Sequence, residues 1–333
     1  MRPRGSVAPA LFGAVVVVAL TGCGNSGPDV ATRPPATAAV SPATVNPAGQ
    51  VYPAAATKAL LAERGTARLA ALDTAGTTLT LIDPATATTT RTVPLPAAGV
   101  SLSQGNPGEV LIAAPHRVLR VDATTGAITE LPIDGDVHSV QTRTDGTLVV
   151  GTADGTVREI AADGTVTRTI TGLISADYIA ATGDNITVLD RKQTAVVAVG
   201  KEALGLMLRA GDGATNAVTD PHGRIIVADT AGGELLVYSA GPLVLRQRFP
   251  VLSSPYALAY DPRSELVWVS CTQSNEVVGY DLSTGIGVEV ARFATLRQPD
   301  AITVDPATGD LFVASATGDG LQRIGATERK AGQ

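Results

Sequence analysis

From about residue 58 to the end of the chain, short apolar runs alternate with polar stops of Gly, Asp, Asn and Pro, and no long stretch keeps a 3.6-residue apolar period. That pattern predicts strands joined by tight turns, an all-β chain. The clearest unit starts at Asn216-Ala217-Val218-Thr219-Asp220-Pro221-His222-Gly223, continues through Arg224 to Asp229, Glu234 to Tyr238, and ends with Leu243 to Phe249. It reads as four strands and three turns. The unit recurs over Tyr256 to Thr295 and again from Asp300, with fainter copies before Leu102, Val140 and Tyr178.

With Leu102, Val140, Tyr178, Ala217, Leu258 and Ile302 as equivalent first-strand positions, the steps are 38, 38, 39, 41 and 44 residues. A period near 40 with four short strands is the signature of a propeller blade. Counting back from Leu102 adds a unit at Leu61-Ala62, so the expected fold is a seven-bladed β-propeller of four-stranded antiparallel blades. The last unit runs out of chain after three strands. An open edge beside the first blade would expose unpaired backbone groups, so the segment around Gln50-Val51-Tyr52 is expected to close the ring. Thr57 to Arg64 reads equally as a strand or a short helix, since Ala, Leu, Glu and Arg are good helix formers.

The N-terminal pattern is of another kind. Arg2 and Arg4 precede an apolar run from Ala8 to Leu20, too short for a comfortable bilayer span, which ends in Leu20-Thr21-Gly22-Cys23. This resembles the lipobox of bacterial lipoproteins, and the resemblance implies cleavage before Cys23 and diacylation of its sulfur. Two acyl chains make a stable anchor where one is marginal. The expected organisation is a signal peptide over 1–22, a Pro/Ala/Thr-rich flexible tether over 23–50, the propeller over 51–326 and a C-terminal tail over 327–333. The expected location is the extracytoplasmic face of the cell membrane.

The Asp-Pro and Asp-x-x-Thr-Gly turns and the block Ser274-Asn275-Glu276-Val277-Val278-Gly279-Tyr280-Asp281 resemble the YVTN and NHL propeller repeats over roughly residues 58 to 325. With the lipobox, the chain resembles a propeller lipoprotein of the actinobacterial cell envelope. Blades two to four lack the Asp-Pro turn, and such blades serve many unrelated functions.

Composition narrows the function. The net charge is −6, with no basic cluster to neutralise phosphates, so nucleic acid is set aside. Aromatics make up 3% of the residues, so the core must be aliphatic and stacking platforms are scarce. Cys23 and Cys271 are the two cysteines; with Cys23 lipidated no intramolecular disulfide forms, and Cys271 in an apolar run reads as a small buried hydrophobe.

The three histidines, His116, His138 and His222, show no zinc-ligand spacing, and no nucleophile elbow, Walker loop or dinucleotide fingerprint is present. Neither a metal nor a cofactor is expected. A propeller site is assembled from one residue per blade, and the residues just before the first strands converge on one channel mouth: His138, Asp177, Thr215, Tyr256 and Asp300. The second-to-third turns add His116, Arg191, Lys192, Gln273 and Asn275 to the same rim, whereas His222 falls on the opposite face. The leading expectation is a membrane-anchored binding or scaffold protein for an envelope protein, a glycan or a small ligand. The alternative is a lactonase-like hydrolase with a metal or acid/base site built around Asp177, Asp300 and His138.

Overall fold

The computed structural model describes residues 32–44, 46–251 and 253–330. The expected signal peptide and the expected lipidation at Cys23 lie outside the described residues. No helix among the described residues is long and apolar enough to cross a membrane.

The chain is built of strands β1 (Gln50–Tyr52), β2 (Thr57–Glu63), β3 (Arg68–Asp73), β4 (Thr78–Asp83), β5 (Thr88–Pro94), β6 (Ser101–Gln104), β7 (Glu109–Asp122) and β8 (Ile128–Thr142). Then follow β9 (Leu148–Thr152), β10 (Val157–Ile160), β11 (Val166–Ile170), β12 (Tyr178–Thr182), β13 (Asn185–Asp190), β14 (Ala195–Val199) and β15 (Leu204–Arg209). The last third holds β16 (Ala214–Thr219), β17 (Arg224–Asp229), β18 (Glu234–Ser239), β19 (Val244–Pro250), β20 (Pro255–Asp261), β21 (Leu266–Cys271), β22 (Glu276–Asp281) and β23 (Val288–Ala294). Strands β24 (Ala301–Val304), β25 (Leu311–Ala314) and β26 (Leu321–Ile324) precede a short helix, α1 (Ala326–Lys330). Thr57 to Glu63, open in sequence between strand and helix, is the strand β2.

These strands form antiparallel sheets that run outward from an axis. The strands β2, β6, β8, β12, β16, β20 and β24 touch in a closed cycle, β24 meeting β2 again, which makes the fold a β-propeller. The expected count of seven separate blades is corrected to six sheets among the described residues. Five sheets have four strands, and one has six in the order β11-β10-β9-β8-β7-β6. The units expected to begin at Leu102 and Val140 share this sheet because β7 and β8 run on through their corners instead of breaking. His116 (φ 58°) and Gly135 (φ 98°) bend the two strands, and the β7–β8 register jumps from Pro115↔Asp136 to Arg117↔Pro132. Spacing between first strands carries no information on whether pairing stops between units.

The ring closes on itself through β1, which pairs with β26 at Gln50↔Arg323, Val51↔Gln322 and Tyr52↔Leu321. Gln322 is fully buried at this seam. Its amide donates to Ala48 O at 2.7 Å and to Ala294 O at 3.0 Å, and its oxygen accepts from Leu296 N at 3.0 Å. The N-terminal strand thereby covers an edge that would otherwise stand open.

Packing lies between neighbouring sheets. Second strands such as Ile225–Val227 of β17 and Val267–Val269 of β21 are buried on both faces, so they read as continuous apolar runs without alternation. Ile226, Leu235, Val237 and Phe249 of one sheet meet Val267, Val269, Val278 and Tyr280 of the next. Each such side chain contributes on the order of 1.5–3 kcal/mol on burial. Trp268, the largest fully buried side chain, lies over Gly279, where a Cβ would stand 2.9 Å from the ring. Outermost strands such as β5 and β15 are mostly exposed.

Candidate functional site

Four of the inner strands carry a register irregularity near the end where the candidate residues cluster. It falls between Thr57 and Ala59 in β2, Val137 and Ser139 in β8, Ala214 and Asn216 in β16, and Pro255 and Leu258 in β20. The extra residues are Lys58, His138, Thr215 and the Tyr256–Ala257 pair. A bulged residue leaves the ladder and is re-aimed, a device found beside binding sites and at barrel rims. Three of the five residues picked from sequence spacing, His138, Thr215 and Tyr256, thus occupy one recurring position. Lys58 occupies the fourth copy of it and was not among them, because the ambiguous reading of Thr57 to Arg64 hid its place in the repeat. Its position 80 residues before His138, two repeat lengths, was the available signal. Burial lowers the Lys58 pKa, with the Asp73 carboxylate working the other way.

His138 and Asp177, from successive units, form a pair with Nδ1 and Oδ1 3.0 Å apart. The second Asp177 oxygen accepts from Ser175 Oγ at 2.5 Å and from Arg191 N at 2.9 Å. Burial pushes Asp177 up, but the hydrogen bonds from His138, Ser175 and the Arg191 amide outweigh it and hold the carboxyl below its ordinary value. Behind it, fully buried Asp190 accepts from the amides of Ile174, Ser175 and Gln193 at 2.8, 3.2 and 3.0 Å. Asp229 does the same one repeat on, accepting from Asp212, Gly213 and Gly232 amides at 2.8, 2.7 and 3.0 Å. These two aspartates end the second strands of their sheets and tie down the loops that present the site. Their shared repeat position was the overlooked sequence signal.

Across the mouth, Tyr256 lies within electrostatic reach of both Arg191 and Asp300. Burial raises its phenol, the Arg191 guanidinium opposes that, and Asp300 adds to it. Asp300 itself is raised by burial, only partly offset by the hydrogen bond that Gln298 Nε2 donates to its Oδ1 at 2.9 Å. The Nε atoms of Arg191 and Arg297 and the Oε1 of Gln193 are buried without a hydrogen-bond partner among the described residues. Unmet polar capacity of this kind is costly in a finished interior and marks a place where another group can bind. Thr215 is different: it is buried, its hydroxyl lies 2.5 Å from that of Thr230, and Thr230 in turn donates to Pro255 O. It joins two sheets and does not face the opening.

Part of the segment read as a free tether lies on this same face. Arg33 N donates to Lys192 O, Ala36 O accepts from Arg191, and Ser41 is buried against Thr272 and Gln298. Asn275, one of the expected rim residues, donates to Pro42 O at 2.9 Å. Gln273 and His116 remain exposed on their turns, the latter 3.4 Å from exposed Asp136.

On the opposite face His222 lies 3.8 Å from Glu265. A cleft of about 740 Å³ is also on that side, between the β20–β23 and β24–β26 sheets, with Asp261, Arg263 and Trp268 in its walls. Arg263 is already bonded there to Ala307 O, whereas the mouth brings together the His138–Asp177 pair, the raised carboxyl of Asp300 and unmet atoms of Arg191, Gln193 and Arg297, which makes the mouth the better candidate. Cys271 is fully buried, and burial pushes its thiol up to about 12.

No protein-family profile and no curated protein matches the chain. Solved structures share its fold. A chain of the mitotic checkpoint complex superposes with a TM-score of 0.70 at 11% identity, over 95% of this chain and 99% of that one. Streptogramin B lyase gives a TM-score of 0.68 at 10% identity, over 84% and 96%. A catalytically inactive histidine-to-alanine variant of virginiamycin B lyase from Staphylococcus aureus, solved with quinupristin, gives 0.66 at 12%, over 84% and 98%. At these identities the likeness is one of fold, and the fold hosts both enzymes and assembly components.

Proposed function

We propose that the chain is a ligand-binding propeller of the cell envelope, anchored by a diacylglycerol on Cys23, which takes its ligand at the mouth around Lys58, His138, Asp177, Tyr256 and Asp300. The observation that carries the binding reading is the irregularity repeated at one point of β2, β8, β16 and β20. Of the other inner strands, β6, β12 and β24 pair regularly with their second strands. In β2, β8 and β20 the irregularity presents Lys58, His138 and Tyr256 at the mouth that Asp177 and Asp300 also line, where a few polar groups orient a ligand. Cations and acids side by side suit a polar ligand with both donors and acceptors, such as a glycan, a peptide or a small polar molecule.

The test is capture from an envelope extract by wild type, by Asp177→Ala/Asp300→Ala and by His222→Ala as the far-face control, read by mass spectrometry. A ligand kept by wild type and the control but lost by the mouth variant supports the reading; equal retention by all three overturns it. The anchor is tested separately by intact mass and by membrane fractionation of Cys23→Ala, which should leave the membrane fraction.

A second reading, an enzyme that moves a proton at the mouth, is favoured by the His138–Asp177 pair. Asp177 engages Nδ1, which leaves Nε2 to accept a proton from a bound substrate. The lyases of similar fold, one of them inactive on loss of a histidine, make streptogramin B, virginiamycin B and quinupristin a first substrate panel. Among the described residues no three His, Cys, Asp or Glu side chains gather as a metal site. Turnover abolished by His138→Ala with binding retained supports this second reading.

A further inference from the structure

Residues 33–44 run along the mouth face from the turn after β13 to the loop before β24, and their hydrogen bonds have an unusual character. Arg33 N donates to Lys192 O at 2.9 Å, and Arg191 Nη2 donates to Ala36 O at 3.2 Å. Ala39 N donates to Ser254 Oγ at 3.2 Å, while Ala39 O accepts from Gln298 Nε2 at 3.0 Å. Ser41 N donates to Gln298 Oε1 at 3.0 Å, and Pro42 O accepts from Asn275 Nδ2 at 2.9 Å. Only Ser41 also uses its side chain, donating to Thr272 O at 2.5 Å and accepting from Gln298 N at 3.1 Å. The face therefore reads main chain, and the residue types it meets matter chiefly for size. Ala36 and Ala39 are half-buried, and a Cβ built on Gly213 would stand 2.8 Å from that of Ala36. Val40, the large apolar residue of the segment, points away at 81% exposure.

We infer that this face carries a groove for extended, small-residue polypeptide, and that residues 33–44 are its intramolecular occupant. Three observations point from a strap to a binding groove. The contacts at Arg33, Ala36 and Ala39 fall every third residue and bracket Pro34 and Pro35, the repeat of a polyproline II chain, a form recognised elsewhere through main chain and small pockets. Ser254, Asn275 and Gln298, which make most of the contacts, have left-handed backbones at φ 58°, 53° and 52°. For Ser and Gln that conformation is costly and is kept where the surroundings impose it, as at ligand clamps.

The occupant also buries almost no apolar surface. Hydrogen bonds that replace bonds to water contribute little net, and each ordered residue loses backbone entropy. The segment is held chiefly by the high local concentration that its attachment to β1 provides. A free polypeptide of the same chemistry competes for the same contacts. The groove adjoins the mouth, since Gln298 also donates to Asp300 and the Arg191 amide to Asp177, but its contacts to the strap use neither carboxylate, so it does not require the mouth ligand proposed above.

The test uses the full chain and a fluorescent peptide with the sequence of residues 32–44. Ala39→Pro/Ser41→Pro removes two amide donors and the hydroxyl from the strap and leaves the propeller body unchanged. Fluorescence anisotropy should show the peptide binding this variant at least tenfold more tightly than wild type, whose groove is filled. Adding Gln298→Ala, or Asn275→Ala as a second body variant with its own melting curve, should remove at least tenfold of that affinity. A peptide with Val in place of Ala36 and Ala39 should fail to bind. Equal affinity for wild type and the strap variant, or affinity that survives both body substitutions in folded protein, overturns the groove. Gln298→Ala also removes a hydrogen bond to Asp300, whereas Asn275 bonds Pro42 O and the Gln298 amide and neither acid, so the Asn275→Ala arm separates failure of the groove from failure of the mouth ligand.

Discussion

Ser41 and Gln298 hold each other reciprocally: the amide of Ser41 donates to Gln298 Oε1 at 3.0 Å, and the amide of Gln298 donates to Ser41 Oγ at 3.1 Å, across 257 residues of sequence. Gln298 Nε2 also reaches Asp300 at 2.9 Å, so one side chain joins the N-terminal strap to an acid of the channel mouth.

Truncation separates the strap from the seam. Removing residues 1–45 takes away the strap contacts, which offset much of their own ordering cost, and should lower the melting temperature little. Cutting on through Tyr52 also strips the edge of β26 and leaves the Gln322 amide short of Ala48 O. That step should cost on the order of 3 kcal/mol or more and several degrees. Differential scanning calorimetry of the two truncations checks the difference.

Asp229→Ala should destabilise by on the order of 3 kcal/mol, because three amides, one buried and two partly buried, lose their common acceptor. Urea unfolding measures it, and Asp281→Ala on an exposed turn is the comparison, expected within about 0.5 kcal/mol of wild type.

The two mouth acids should respond to pH with opposite signs. Asp177 is depressed in the folded chain, so its ionised form stabilises above the unfolded carboxylate value, and that contribution is lost as pH falls through the lower folded value. Asp177→Asn should therefore be less stable than wild type at pH 7, with the gap closing in acid.

Asp300 is raised, so the folded chain favours its protonated form, which is fully present below the unfolded value and is lost as pH rises through the folded one. Asp300→Asn should match or exceed wild-type stability at pH 7 and lose that advantage in acid. Melting temperatures of both variants from pH 7 down to the acid limb decide the signs.

Cys271, with its thiol pushed up to about 12 and no exposure, should resist a thiol reagent in the native protein at pH 8 and react on unfolding. The proposed lipid on Cys23 predicts that the unfolded chain titrates one thiol, Cys271; two thiols would overturn that anchor.

Much of the architecture is local and so was written along the chain. Runs such as Arg224 to Asp229 form strands because β-branched residues suit a surface buried on both faces, and turns such as Asp305-Pro306 break them, so the strand pattern, the repeat near 40 and the closing role of Gln50-Val51-Tyr52 could be read from order alone. The convergence of His138, Asp177, Tyr256 and Asp300 on one mouth followed from that repeat. Three features were decided only by the tertiary structure. Whether Leu102 and Val140 begin separate sheets depends on whether β7 and β8 break their pairing at the corners, and pairing is a relation between strands that spacing does not encode. Lys58 joins the mouth through a bulge, a register shift visible only against its partner strand. Residues 33–44 lack the apolar side chains that signal burial, yet they dock because Gln298, Asn275 and Arg191 reach their main chain, and main-chain hydrogen bonding leaves no mark in the identity of the residues that use it.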